Sequence, residues 1–167
     1  LLTDKIMQNF GAKRDMYTIK LNSRKLVNYI LHDYLKLDEV EVSTVIRLID
    51  RMHKMPPAEF AGLVDATISP AQREEENTAA RLLDMLKTSD ISQLPVEIQT
   101  HPSALQIAQM EKQLAKYGIT NAVFDITLMR GFDYYTDIVF EVFDTNPENN
   151  RAMYGGGRYD GLVGLFG

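Results

Sequence analysis

Near residue 120 the spacing of apolar residues changes from that of a helix to that of a strand. Any fold for this chain has to bury both patterns. Upstream, Leu26, Val27, Ile30, Leu31 and Tyr34 recur at helical intervals. So do Val45, Ile46, Leu48, Ile49 and Met52, then Ala79, Leu82, Leu83 and Leu86, then Ile107, Met110, Leu114 and Tyr117. Downstream, NAVFDIT (121–127) and YYTDIVFEVF (134–143) read as strands. DTNPENN (144–150) is a turn by composition, and a returning strand begins at 151–154. An earlier short strand is expected at 16–21, MYTIKL. A strand, then helices, then a meander make an α+β fold with an antiparallel sheet, not an alternating βαβ one. The short turn allows no crossover, so the last two strands pair antiparallel.

Punctuation sets the element ends. Residues 1–10 read as the end of a helix stopped by Gly11. Asn22-Ser23 offers a cap for a helix over 23–35. A helix over 43–55 is broken by Pro56-Pro57, and a shorter one follows at 57–66. Ser69-Pro70-Ala71-Gln72 is a start signal, with serine as cap and proline in the first turn, for one helix to about 87. Its Glu74-Glu75-Glu76 run reads as a solvated face near the N-terminus. The last helix spans 102–117 and is closed by Gly118. On this pattern residues 42–99 form a helical insertion between the sheet-forming parts, 1–41 and 100–167.

The 167 residues suffice for a real core, and 45% apolar with 25% charged residues is ordinary globular composition. No apolar run approaches the roughly 18 residues of a membrane span. No basic-then-apolar stretch opens the chain, so nothing signals secretion. The lack of cysteine excludes disulfides and thiolate metal sites and fits the cytoplasm. Only His32, His53 and His101 offer imidazoles, with no H-x-x-x-H pair, so no metal site is expected. A net charge of −5 argues against a broad basic face for nucleic acid. Arg47, Arg51, His53 and Lys54 make only a modest basic group, read as a solvated helix face.

Two segments carry the chemistry. In the strand over 134–143 one parity holds Tyr134, Thr136, Ile138, Phe140 and Val142, mostly apolar and expected to face the core. The other holds Tyr135, Asp137, Val139, Glu141 and Phe143, expected to face an open surface or cleft. Arg130 beside Gly131 fits an anion clamp, or an arginine paired with Asp133 or Asp137. The second segment runs YGGGRYDGL from Tyr154 to Leu162. Three glycines weaken a strand interior; a flat ligand against the backbone would explain them, and so would a loop or bulge. No G-K-[ST] ending makes this a P-loop, and no G-x-G-x-x-G opens a helix.

RGFDYYTDIVFE (130–141) closely resembles the first histidine-specific signature of the histidyl-tRNA synthetases, R-G-L-D-Y-Y-x-x-x-V-F-E. GGGRYDGL (155–162) resembles the second. Their order and the intervening hairpin also match. IKLNSR (19–24) is similar to the strand-to-helix passage after the second general class II motif. The resemblance covers nearly the whole chain and implies part of a class II catalytic domain. It assigns Arg130 to the α-phosphate and the histidine carboxylate. It assigns the Tyr134–Tyr135 pair, Tyr135 above all, together with Tyr159, to the imidazole pocket. Gly155, Gly156, Gly157 and Arg158 belong to the strand under the bound histidine or its adenylate. Phe132 replaces the usual leucine, a conservative apolar change.

The implied partners are histidine, ATP with Mg2+, and histidine tRNA, in a parent enzyme that is a homodimer. The first general class II motif is not found. The second would lie before Leu1 and the third after Gly167, followed by an anticodon-binding domain, so the isolated chain is expected not to aminoacylate. The alternative is a paralogue that does not charge tRNA, such as a regulatory subunit of ATP phosphoribosyltransferase or a tRNA-sensing module.

Overall fold

Strand β1 (Tyr17–Ser23) runs through the middle of a four-stranded sheet of order β2-β1-β3-β4. The computed structural model describes residues 1–129, 134–149 and 151–165. The other strands are β2 (Ala122–Phe124), β3 (Ile138–Asp144) and β4 (Ala152–Gly157). β1 pairs antiparallel with β3, from Tyr17 opposite Asp144 to Ser23 opposite Ile138. β3 pairs antiparallel with β4, as the short turn requires. β1 and β2 pair parallel, with Ile19 opposite Ala122, so the sheet is mixed. A parallel pair needs a long crossover, and the helices between the two strands supply it.

Helix α1 (Leu2–Asn9) ends just before Gly11, whose φ of +87° suits glycine. α2 (Arg24–Asn28) is capped by Ser23, whose hydroxyl accepts the Leu26 amide. It continues as a π-helical turn, Tyr29–Tyr34, where one helix was expected. α3 (Glu39–Arg51) starts four residues before the expected 43. The cause is a capping box: Asp38 Oδ1 accepts the Val40 and Glu41 amides, and Glu41 Oε2 accepts the Asp38 amide. α4 (Pro57–Thr67) follows the two prolines. The expected single helix over 70–87 is two, α5 (Pro70–Glu76) and α6 (Thr78–Met85), broken where Asn77 turns left-handed at φ +50°. The Ser69 hydroxyl donates to Gln72 Oε1 and does not cap the helix. A short α7 (Val96–Gln99) leads to α8 (Pro102–Lys116). His101 Nδ1 accepts the Ser103 amide at the start of α8, and its ring stacks on Tyr29. Tyr117 was expected inward, but it follows the last helical turn and is exposed.

The larger apolar cluster joins α2, α3, α4, α6 and α8 through Leu26, Val45, Val64, Leu82 and Ile107. The smaller lies on one face of the sheet, where Tyr17, Ile19, Leu21 and Val142 meet Met110 and Leu114 of α8.

The strands are shorter than their sequence patterns at two places. β2 stops at Phe124 because Asp125 Oδ1 accepts both the amide and the hydroxyl of Thr127, which turns the chain. β3 starts at Ile138 rather than 134, since its partner β1 ends at Ser23, opposite Ile138, where α2 begins. Tyr134 therefore lies outside the strand and is 47% exposed, not core-facing. Phe140 and Val142 do pack on the smaller cluster. On the opposite parity Asp137, Val139 and Glu141 are buried, and Glu141 and Phe143 line a cleft, as expected of that face.

Candidate functional site

Three tyrosines gather where β3 begins and β4 ends. The rings of Tyr134 and Tyr159 stack at 5.2 Å, 13° from parallel. Tyr135 meets both edgewise, with centroids 4.5 Å from Tyr134 and 4.9 Å from Tyr159. Such geometry suits the ring quadrupoles. Two backbone bonds bring the segments together: Thr136 N donates to Arg158 O and Arg158 N to Ile138 O, both at 2.8 Å.

The three glycines lie along β4, with Gly157 opposite Val139, Gly156 opposite Phe140 and Gly155 opposite Glu141. They alternate faces. A flat group does lie against this backbone, and it belongs to the chain itself: the Tyr135 ring covers Gly157. On the other face the Phe140 ring covers Gly156. A Cβ on Gly155 would strike the Phe140 carbonyl and the Glu141 side chain.

Arg158 is exposed and bonds Asp160, its Nε 2.8 Å from Oδ1. That bond, and one from the Thr136 hydroxyl, hold the Asp160 carboxyl below the usual range. The Arg158 guanidinium also comes within 4.0 Å of Asp137. Arg130, expected to clamp the anion, lies outside the described residues.

A second feature lies on the sheet face that carries Glu141. A cavity of about 1120 Å3 opens between that face and the turn after α3. Lys20, Asp125, Glu141 and Phe143 contribute from the sheet side, and His53 and Lys54 from the turn. Leu128 and Met129, directly before Arg130 in sequence, also line it. Lys20 Nζ pairs with Asp125 Oδ2 at 2.7 Å and stands over the Phe143 ring. Burial pushes the Asp125 carboxyl up, but the bonds from Lys20 and Thr127 outweigh it and hold the group below its usual value. Sequence reading passed over this ion pair, because the two partners are 105 residues apart. Lys20 shares a face with Glu141 because the two residues stand opposite one another in the β1–β3 register. Among the described residues, no group of three His, Asp or Glu side chains is placed to hold a metal. They do not fit a cage for Mg2+.

This mixed sheet with flanking helices has the fold of class II synthetase catalytic domains. It superposes on histidyl-tRNA synthetase from Nostoc sp. PCC 7120 with a TM-score of 0.79, over 98% of this chain and 39% of that one, at 20% identity. An "ATP phosphoribosyltransferase regulatory subunit/histidyl-tRNA synthetase" from Bacillus halodurans C gives 0.77, over 99% and 42%, at 19%. At such identities the likeness is one of fold.

Sequence narrows it further. The family model described as histidyl-tRNA synthetase matches residues 12–167. The histidine–tRNA ligase of Leptospira biflexa is 31% identical over 163 residues, which is 96% of this chain and 36% of that protein. The chain belongs to the histidyl-tRNA synthetase family. It spans little more than a third of the length of the curated relatives it matches. Among the described residues, no helix is long and apolar enough to cross a membrane.

Proposed function

We propose that the chain is the histidine-recognising part of a histidine–tRNA ligase catalytic domain. The observation that carries this reading is the meeting of Tyr135 and Tyr159 at 4.9 Å beside Gly157, in a member of this family. The phenols of Tyr135 and Tyr159 recognise the imidazole nitrogens, with Tyr134 stacked behind. Gly155, Gly156, Gly157 and Arg158 form the strand behind the amino acid, with the Tyr135 ring lying on Gly157. A site whose polar groups need partners rejects analogues that lack them. Arg130 binds the histidine carboxylate and the α-phosphate. The carboxylate oxygen attacks the α-phosphorus of ATP, and pyrophosphate leaves with the bridging oxygen. The Arg130 guanidinium neutralises oxygens that gain charge in that step. In the whole protein the histidyl group then passes to the terminal adenosine of its tRNA.

The same proposal divides the chain into a catalytic part, 1–41 and 100–167, and a helical insertion, 42–99. Support comes from the strands, all of which fall outside 42–99. A homodimer, Mg2+ accompanying ATP and a cytoplasmic setting belong to the whole protein.

Calorimetry with histidine tests the site. Arg130→Ala and Tyr135→Phe should each weaken binding by about tenfold, the worth of one good hydrogen bond. Equal affinity in all three chains would sink the assignment. Histidine-dependent ATP–pyrophosphate exchange by the 167-residue chain alone is expected to be absent.

A regulatory, non-charging role is the second reading, favoured by the near-equal fold match to the Bacillus halodurans protein. The two part over ATP. In the whole protein, the ligase reading expects ATP and histidine to bind together, and the regulatory reading expects histidine without ATP.

A further inference from the structure

Asp137 is 2% exposed, yet it lies two residues after Tyr135 at the edge of the tyrosine cluster. Three consecutive residues hold it from the β1–α2 junction. The Ser23 hydroxyl donates to Asp137 Oδ1 at 2.8 Å. Lys25 Nζ lies 3.3 Å from Oδ2. The Arg24 amide donates to the Asp137 carbonyl at 3.0 Å, and Arg24 Nη1 to the Tyr135 carbonyl at 3.1 Å. From the other strand, Arg158 Nη1 approaches Oδ2 to 4.0 Å, an ion-pair distance and not a hydrogen bond. One buried oxygen thus faces cations from two separate segments, and Tyr159 immediately follows the second of them.

A buried carboxylate is costly unless it is paired. A clasp between β1 and β3 needs no more than Ser23 and the Arg24 backbone. The charge does something further, because it faces Lys25 and Arg158, whose side chains are 56% and 54% exposed; Asp160 holds the Arg158 Nε at 2.8 Å, and the Asp137 carboxylate faces its Nη1 from the other side. Arg158 drawn towards Asp137 fixes the backbone on which Tyr159 stands. Arg24 fixes the backbone of Tyr135.

We propose that Asp137 is a positioning residue for the histidine pocket: its carboxylate, facing Lys25 and Arg158, sets Tyr135 and Tyr159 against one another. The inference rests on the histidine-binding reading above. Asp137 touches no substrate and acts through its neighbours. Its position falls among the unspecified residues of the first signature, so the family resemblance gives it no role.

Asp137→Asn keeps the volume and an acceptor for Ser23 but removes the charge. The measurements are ring signals of the 13C-tyrosine-labelled chain by NMR, histidine affinity by calorimetry, and the melting temperature. Single Tyr→Phe replacements assign the signals. The expected result is a folded chain in which the Tyr135 and Tyr159 signals move and affinity falls about tenfold or more, as misplaced groups cost binding and rate. Lys25→Gln and Arg158→Gln should each move the same two signals by less. A lower melting temperature with unmoved tyrosine signals and unchanged affinity would reduce Asp137 to a clasp and overturn the proposal. If Asp137→Asn does not fold, Lys25→Gln decides at an exposed side chain: unmoved signals refute the proposal. If the unaltered chain binds no histidine, the pocket reading fails, and the ring signals still decide whether Asp137 orders the tyrosines.

Discussion

The ring of Tyr135 occupies the space that a side chain on Gly157 would need. A Cβ there would fall 2.6 Å from the ring's Cγ and 2.7 and 2.9 Å from its Cδ atoms. Gly157 is not among the glycines with positive φ, so contact and not backbone conformation demands glycine. Cγ is the root of the ring and cannot yield unless χ1 turns. Gly157→Ala should therefore expel Tyr135 from its place beside Tyr159. Overpacking costs about 1–3 kcal/mol, and the half-buried ring puts this variant near the lower figure. Histidine affinity should fall by much more than stability does. Gly62→Ala, on α4 with nothing within 4 Å, is the control and should leave affinity unchanged. Urea unfolding and calorimetry on both variants check this.

A second prediction concerns alkaline pH. Asp4 is buried and accepts Arg14 Nε and Nη2 at 2.9 and 2.8 Å and the Tyr17 hydroxyl at 2.5 Å. Burial, then the bond to Asp4 and its charge, push the Tyr17 phenol from 10.0 up to about 12. The folded chain keeps a proton that the unfolded chain releases. The stability tied to the neutral phenol is complete below pH 10 and drains away between 10 and 12. Tyr17→Phe should flatten that part of the urea-stability profile. At neutral pH it should cost about 1 kcal/mol, because Asp4 loses a donor. A profile as steep as that of the unaltered chain would contradict the prediction.

The sequence reveals those parts of the fold that rest on local chemistry. The Ser23 cap, the proline breaks and the Gly11 and Gly118 stops all depend on neighbours within a few residues, and all appear. Some of what stayed hidden is local, such as the Asp38 capping box and the left-handed Asn77; the rest depends on partners far away. The late start of β3 follows from β1, more than a hundred residues upstream, ending at Ser23 where α2 begins. The parallel β1–β2 pair depends on where the crossover delivers Ala122. Alternation placed Tyr135 on the Glu141 side, and the contact with Gly157 agrees with that. It also marked Asp137 as open, though Ser23 and Lys25 cover it, and no periodicity shows a lid that comes from another segment.

Lys36 gives a stability prediction independent of the site. It follows the π-helical turn with φ +58°, and its carbonyl accepts Gln72 Nε2 at 2.6 Å. A left-handed backbone costs an L-residue with a Cβ roughly 1–2 kcal/mol, and glycine escapes that cost. Lys36→Gly should therefore raise stability by about 0.5–1 kcal/mol, part of the gain being lost to the greater freedom of the unfolded chain. The carbonyl bond to Gln72 needs no side chain at 36, so it should persist. A lower melting temperature would show that the lysine stem contributes packing that outweighs the strain.

The last prediction tests the cavity floor. Asp125 keeps a low carboxyl pKa despite burial because Lys20 and Thr127 bond it. A carboxyl depressed in the folded state contributes stability above the unfolded value of about 3.9, and that stability is lost as pH falls through the folded value. Lys20→Met keeps an apolar stem against Phe143 but removes the ammonium group. Asp125 then faces burial with only Thr127 to help. Because Lys20 is 31% exposed, water softens the loss, which should be about 1–2 kcal/mol at pH 7. In acid, once the pH falls below the depressed folded value of Asp125, the unaltered chain loses the pair too, and the variant should approach it. Urea titrations at both pH values separate charge from packing, since a packing defect would persist undiminished in acid. If the cavity takes part in substrate binding, its ligand should protect the unaltered chain against urea more than it protects Lys20→Met, by linkage between binding and folding.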